Sequence, residues 1–473
     1  MGKGVRSNFY ADIMSQHQEV TGSCHLVVVK LPNGETLRIM VDCGLFQEKD
    51  HYDDNQKLIC KPENIDFVFI THNHIDHTGR LPLLIKRGYT GKFYTTSITE
   101  NLMPLALYDT CRILADLGKR KNTPALYTSG DVALTIERTQ GFDFNKQVKI
   151  SPNVTATFLK NGHLVGSAMI LLQLSYPGYE DINLLFTEDY NNKNMFFDID
   201  EVPSEVRKLP LTIIQESTYG YVDSTEMKPV FEENVANAIH EGKTVITPVF
   251  SLGRAQEILY VLKKMQNDGR LSTSVPIYFD GKLALKYTGF YFSKLLNLKP
   301  EMEEFLPENM QCVDKTSRMS VVQDEGTKII VTTSGMGSYG PAQTYIPAYM
   351  PRKNALIHFT GYTAEGTLGR LLQETETGST VEAMGLVFVK RADVQYTNEY
   401  SAHAKADEMI AFLNQFENIR MVLVNHGQTE VKDQFAKRIL KEVDARNVGI
   451  LGNGYLFRVN NFGLIKTMGT KFE

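Results

Sequence analysis

Three histidines and an aspartate occupy residues 72–77 of Thr71-His72-Asn73-His74-Ile75-Asp76-His77-Thr78-Gly79. The whole chain of 473 residues holds only 11 histidines, so this density is not a product of average composition. Imidazole nitrogen and carboxylate oxygen are the donors a borderline cation such as zinc takes, and a catalytic site keeps a coordination position open for water. His72 and His74 are two apart, so on an extended exit both side chains point the same way. Asp76 and His77 follow one short turn later and can serve a second ion. The bland alternative is a histidine-rich surface loop. The apolar run Ile65-Asp66-Phe67-Val68-Phe69-Ile70 argues against it, because it reads as a buried strand delivering ligands at its end.

The elements around this motif read as strands first. Residues 26–31 and 36–42 flank Pro32-Asn33-Gly34, a hairpin signal, and 65–70, 154–159, 169–174 and 182–187 continue the β-rich pattern. From about residue 206 the rhythm changes. Strand-like 211–215, 244–249, 276–279, 328–333 and 355–360 alternate with helical 255–265 and 366–373, which predicts a parallel sheet flanked by helices. After about 396 come a helix over 404–416, a strand over 420–424 and a helix over 430–441.

The 71–79 motif, together with Asp42 in Val41-Asp42-Cys43-Gly44, resembles the metallo-β-lactamase superfamily, whose signature is H-x-H-x-D-H after a strand. The trailing Gly79-Arg80-Leu81-Pro82 narrows the resemblance to the β-CASP branch, metal-dependent nucleases that include ribonuclease J. The resemblance implies an α/β chain: an αββα sandwich interrupted by an inserted α/β domain. It divides the sequence into a first sandwich segment at 1–205, an insert at 206–395 and a closing segment at 396–473.

A dinuclear site needs further donors at other strand ends, and three residues stand there. His163 lies in Gly162-His163-Leu164-Val165-Gly166, Asp189 follows Leu184-Leu185-Phe186-Thr187, and His426 follows an apolar strand in Val424-Asn425-His426-Gly427. Each alone would more commonly be a hydrogen-bonded loop residue. By resemblance, His72, His74 and His163 hold one ion, Asp76, His77 and His426 hold the other, and Asp189 bridges. Asp42 would stand behind them, orienting ligand rings through their distal N–H groups. The chain departs from its relatives at Glu188, where they usually carry glycine. That side chain is expected either to face solvent or to alter access to the metals.

Two cations about 3.5 to 4 Å apart lower the pKa of a shared water and stabilise negative charge on a phosphoryl oxygen. The leaving oxygen then needs a proton, which calls for a histidine tuned by a carboxylate. Glu216 in Glu216-Ser217-Thr218-Tyr219-Gly220 and His403 in Tyr400-Ser401-Ala402-His403-Ala404 resemble two motifs of the insert-bearing branch. There His403 would be the general acid, Glu216 would orient it, and Asp76 completes the catalytic set. Ser401 could also cap the following helix. A histidine at 426, rather than valine, is associated in the family with RNA rather than DNA. Arg254, opening a helix after Phe250-Ser251-Leu252-Gly253, and Ser334 with Gly335, opening Gly335-Met336-Gly337-Ser338-Tyr339-Gly340, are the candidate phosphate contacts. For Arg254 the alternative is an arginine on the helix surface paired with an acidic neighbour. The glycine run is a weak dinucleotide fingerprint, since no acidic residue ends the next strand at the required spacing.

Composition sets the outer limits. A net charge of −5 argues against coating nucleic acid through bulk positive charge, so an RNA substrate would need a local basic surface. Lys86-Arg87, Lys119-Arg120-Lys121, Arg352-Lys353 and Lys390-Arg391 are the basic clusters, and each also reads as ordinary solvated surface. Five cysteines without C-x-x-C spacing indicate neither a disulfide framework nor a thiolate zinc site and read as buried small apolar residues. No apolar run spans a bilayer and residues 1–6 precede no leader-like segment, so a cytoplasmic protein is expected, with no membrane partner. The sequence-level expectation is a phosphodiesterase acting on RNA with two zinc ions, or manganese in their place. Whether it pairs as a homodimer is left open. The rivals are a small-substrate metallohydrolase of the same fold and a scaffold subunit that has lost catalysis.

Overall fold

The computed structural model describes residues 8–16, 19–47, 49–226, 229–452 and 454–469; the chain start at 1–6 lies outside them. Contacts divide the chain into two compact units. One comprises 1–194, 199–224 and 403–473, the other 195–198 and 225–402.

The first unit contains two large sheets. Among the described residues one runs in the order 463–469, 455–460, 10–15, 25–30, 36–41, 67–69, 93–96 and 139–142, the other 448–450, 419–425, 211–216, 182–186, 168–174, 154–160 and 147–151. Period-two alternation explains how they stack. In the second sheet Leu184, Phe186, Ile214 and Leu423 meet Ile13, Val27, Val29 and Ile39 of the first sheet in one dry core. Their chain neighbours Leu185, Ile213, Val422 and Val424 face the other way, against helices Ala406–Leu413 and Thr429–Glu442. The first sheet is covered likewise, Met40, Val68 and Phe93 packing under helices Leu81–Lys86, Ser97–Lys121 and Ser129–Glu137. Helix, sheet, sheet and helix layers follow in sequence. Each fully buried aliphatic side chain in these layers stabilises by roughly 1.5–3 kcal/mol, and truncating one such as Leu184 to alanine would cost about 2–5 kcal/mol.

The strand Leu211–Glu216 belongs to this unit. It pairs in parallel with Ile182–Phe186 on one side and Ile419–Asn425 on the other, and the long segment of the second unit begins after it, at 225. Helix Ala406–Leu413 begins with Lys405, whose N–H donates to Glu408 Oε2 at 2.8 Å. Ser401 is therefore not its cap. Cys312 is exposed and Cys60 half-buried, contrary to the reading of all five cysteines as buried.

The second unit is built on a parallel sheet ordered 310–313, 277–280, 329–332, 244–248, 355–359 and 393–396. Val245, Ile329 and Phe279 meet helices Phe231–His240 and Arg254–Asn267 on one face. Ile246, Ile330 and Ile357 meet helices Ala342–Tyr349 and Leu368–Glu374 on the other. No helix among the described residues is long and apolar enough to cross a membrane.

Candidate metal centre

The polar residues singled out by their position after strands are gathered by strand direction. In the second sheet Ile182–Phe186, Leu211–Glu216 and Ile419–Asn425 run parallel, and Val154–Lys160 shares their direction because both it and Ile182–Phe186 pair antiparallel with Ala168–Leu174. Their carboxyl ends therefore open on one edge, delivering Asp189, Glu216, His426 and His163. The first sheet adds Asp42 after Thr36–Val41, and His72 and His74 after the parallel strand Phe67–Phe69. Asp76 and His77 ride on the four-residue helix Ile75–Thr78. That helix is fixed by backbone bonds: Cys43 N–H to His77 carbonyl at 2.8 Å, Leu45 N–H to Ile75 carbonyl at 2.9 Å. Gly44 lies between these bonds, and a Cβ there would sit 1.4 Å from the Asp76 carbonyl oxygen, so only glycine permits the approach.

Seven predicted ligands come together in two overlapping groups. His72, His74, His163 and Asp189 form one, and Asp76, His77, Asp189 and His426 the other, with donor atoms in each group within 4.8 Å of one another. In the first, His74 Nδ1 and His163 Nε2 are 3.1 Å apart, and Asp189 Oδ2 lies 3.5 Å from His163 Nε2 and 3.7 Å from His72 Nε2. In the second, Asp189 Oδ1 is 3.0 Å from His426 Nε2 and 3.4 Å from His77 Nε2, while Asp76 Oδ2 is 4.0 Å from His77 Nε2. Donors held 2.0–2.1 Å from a tetrahedral ion are about 3.3 Å from each other, so these spacings suit a divalent cation in each group. The buried atoms His72 Nε2, His77 Nε2 and Asp189 Oδ1 have no hydrogen-bond partner, which is the condition of donors reserved for an ion.

Outer contacts set which ring nitrogen is bare. His77 Nδ1–H donates to Asp42 Oδ2 at 2.7 Å. His72 Nδ1 lies 3.1 Å from the Thr71 hydroxyl, which itself donates to Asp42 Oδ2 at 2.6 Å, so the ring passes its proton contact through threonine to the same carboxylate. His426 Nδ1 lies 2.9 Å from the Thr218 hydroxyl. In all three rings the distal nitrogen is engaged and Nε2 faces the cluster, as ligation requires. Burial, then His77 and His163, press the His72 pKa well below the imidazole range, which keeps this ring neutral. Burial opposes the charge of Asp189, yet His426, His77 and His403 hold its pKa well below the carboxylate range.

Beside the two groups stand Glu216 and His403. His403 Nδ1 is 3.1 and 3.0 Å from the two Glu216 oxygens, and His403 Nε2 points to Asp189 Oδ2 at 3.9 Å. Glu216 is itself fixed, accepting the Tyr190 N–H at 2.9 Å. Burial works to strip the His403 ring of its proton, but Glu216 and then Asp189 outweigh it and raise the pKa. Asp42, Glu188 and His426 all have left-handed backbone, with φ of 57°, 42° and 48°. A non-glycine residue so held costs roughly 1–2 kcal/mol, which surrounding contacts must offset. Glu188 finds its contacts inward. It is buried, with His25 Nε2 at 2.8 Å and the Ser23 hydroxyl donating at 2.8 Å, and faces neither solvent nor the ion-facing side of the ligands.

The phosphate candidates lie in the second unit. Arg254 is buried rather than on a helix surface. Its Nε–H donates to Glu257 at 2.9 Å and an Nη2–H to the Tyr400 carbonyl, leaving Nη1 without a hydrogen-bond partner. Ser334 closes a turn with Tyr339, its N–H donating to the Tyr339 carbonyl at 3.1 Å and its hydroxyl accepting the Tyr339 N–H at 3.2 Å. A Cβ on Gly335 would lie 2.9 Å from the Phe250 nitrogen. Thr71, Thr218, Ser23 and His25 also support the site, and none of them is among the residues expected from the sequence. Thr71 and Thr218 stand inside motifs already quoted, where a hydroxyl beside a ligand is a usable signal; Ser23 and His25 carry none.

Three family models match the chain: the metallo-beta-lactamase superfamily over residues 18–138, the Beta-Casp domain over 255–372 and a Zn-dependent metallo-hydrolase RNA specificity domain over 389–448. Among curated relatives, transcription termination factor FttA of Methanosarcina mazei is 30% identical over 459 residues, covering 90% of this chain and 68% of its own. An RNase J-like protein of Methanocaldococcus jannaschii is 28% identical, over 89% of this chain and 94% of its own. A ribonuclease of Thermus thermophilus is 28% identical, over 87% and 92%.

Proposed function

Because the chain belongs to the β-CASP group of the metallo-β-lactamase superfamily, we propose that it is a zinc-dependent ribonuclease hydrolysing phosphodiester bonds of RNA. The observation that carries this reading is the sharing of Asp189 by two histidine-rich donor groups, with the Glu216–His403 pair alongside. His72, His74 and His163 would hold one cation, Asp76, His77 and His426 the other, and Asp189 both. Two such ions supply an acidified water and charge neutralisation at the phosphoryl oxygens.

The chain's own groups do the rest. Asp42 and Thr71 hold the rings of His77 and His72 in the ligating tautomer. Glu216 keeps a proton on His403 Nδ1 and orients the ring, so that Nε2–H is the group available to protonate the departing ribose oxygen. Arg254, through its unpartnered Nη1, and Ser334 with Gly335 are the proposed phosphate contacts. Manganese in place of zinc fits the same nitrogen and oxygen donors.

The test is incubation of wild type, His403→Ala and Asp76→Ala with 5′- and 3′-labelled RNA and DNA, alongside elemental analysis. The reading expects wild type to cut RNA, His403→Ala to keep its metal and cut poorly, and Asp76→Ala to lose both metal and activity. Equal cleavage by all three proteins defeats it.

A further inference from the structure

We propose that Glu188 is a positioning residue for the second ion site, the one built from Asp76, His77, Asp189 and His426; the inference rests on the dinuclear reading above. A buried carboxylate on a left-handed backbone is a combination that persists only where its surroundings hold it firmly, and here the holding groups lead to the ligands. Oε1 meets His25 Nε2 at 2.8 Å and Oε2 accepts the Ser23 hydroxyl at 2.8 Å. His25 Nε2 is the ring nitrogen turned into this group, with Glu188 Oε1 at 2.8 Å, the Asn425 amide at 3.2 Å and the Ser23 hydroxyl at 3.5 Å.

From there the contacts branch to each ligand of that site. The Ser23 N–H donates to the Asp76 carbonyl at 2.8 Å, fixing the helix that carries Asp76 and His77. The Asn425 amide lies 3.2 Å from His25 Nε2, one residue before His426. Asp189 is the next residue in the chain. Glu188 Oε2 is also 3.8 Å from His77 Nδ1, beside the 2.7 Å bond from that nitrogen to Asp42. Of the first site, the shared Asp189 adjoins this network directly, and His72 reaches it only at a further remove, through Thr71 and Asp42. One side chain thus couples the backbone exits at Asp76, Asp189 and His426, three ligands supplied from far apart in the sequence.

The asymmetry gives the test. Metal-free wild type, Glu188→Gly, Glu188→Gln and His25→Asn are titrated with Zn2+ against a chromophoric chelator, with elemental analysis of each loaded protein and circular dichroism as the folding control. Glycine suits the φ of 42°, and glutamine keeps the shape and an oxygen to accept from Ser23. The expected result is two equivalents in wild type. In Glu188→Gly the first equivalent stays within about 2-fold and the second is weakened ~10- to 100-fold, as when outer partners of ligands are removed. Glu188→Gln falls between the two, and His25→Asn weakens the second equivalent in the same direction. Two equally tight equivalents in Glu188→Gly, or equal weakening of both, overturns this inference and leaves the dinuclear reading standing. Fewer than two equivalents in wild type overturns both. If Glu188→Gly does not fold, Glu188→Gln and His25→Asn decide by the same criterion.

Discussion

His403 Nδ1 stands 3.1 and 3.0 Å from the two carboxylate oxygens of Glu216, while its Nε2 is turned toward the Asp189 carboxylate at 3.9 Å. One end of the ring is anchored and the other is presented to the donor groups, the arrangement that the proposed proton delivery uses. Glu216→Gln removes the charge and keeps the shape. Its kcat on RNA is expected to fall about 10²- to 10⁴-fold, the range for a misdirected general acid, with unchanged zinc content. Parallel rate and elemental measurements check this; loss of metal with rate would make Glu216 a ligand instead.

Thr71 joins His72 to Asp42 through one hydroxyl. Thr71→Val retains the volume and breaks the relay, so His72 loses its tautomer control. Zinc affinity is expected to drop ~10- to 100-fold with a melting temperature within a few degrees of wild type. Chelator competition and a thermal melt read the two quantities separately.

Gly44 meets the Asp76 carbonyl so closely that no side chain fits. Gly44→Ala must displace the helix bearing Asp76 and His77, at a cost of about 3 kcal/mol or more, the upper range for overpacking a rigid contact. The expected outcome is a lowered denaturation midpoint together with loss of bound zinc; Gly34→Ala, at an open hairpin turn where nothing lies within 4 Å, should cost stability and leave the metal in place.

His358, buried in the strand Ala355–Phe359, has its pKa lowered to about 4 by burial, against a weaker opposing effect of the Phe359 carbonyl. The folded value lies below the unfolded one of about 6.5, so the folded state binds this proton less readily. Its contribution is complete above about pH 6.5 and is lost as pH falls from there to about 4, up to roughly 3 kcal/mol in all. Melting curves in chelator at pH 7.5 and 5.0 test this: wild type should lose stability at pH 5.0, and His358→Gln should lose less.

The sequence makes the first motif legible because all its donors are local. Residues 72–77 follow a strand, and histidine and aspartate side chains there have few structural uses. The ends bearing His163, Asp189 and His426 are recognisable as strand exits, since Ile182–Phe186 is apolar except for Asn183 and residues 421–424 before Asn425 are all apolar. Other features depend on partners that sequence does not bring near. Leu211–Glu216 reads as the start of a new rhythm, yet its partner Ile419–Asn425 lies some two hundred residues on. Glu188 turns inward because Ser23, 165 residues earlier, and His25 receive it. The helix Ser97–Lys121 goes unread for a local reason: Pro104 inside it argues against a helix, although Met103, Leu107, Cys111 and Leu114 form its buried stripe.

Asp189 is the residue on which both donor groups depend, and Asp189→Asn tests the account most directly. With 5′-labelled RNA and elemental analysis on the same preparation, the variant is expected to retain less than about one zinc ion and to show no cleavage above background, while remaining folded by circular dichroism. Two retained ions with wild-type cleavage of the RNA would contradict it.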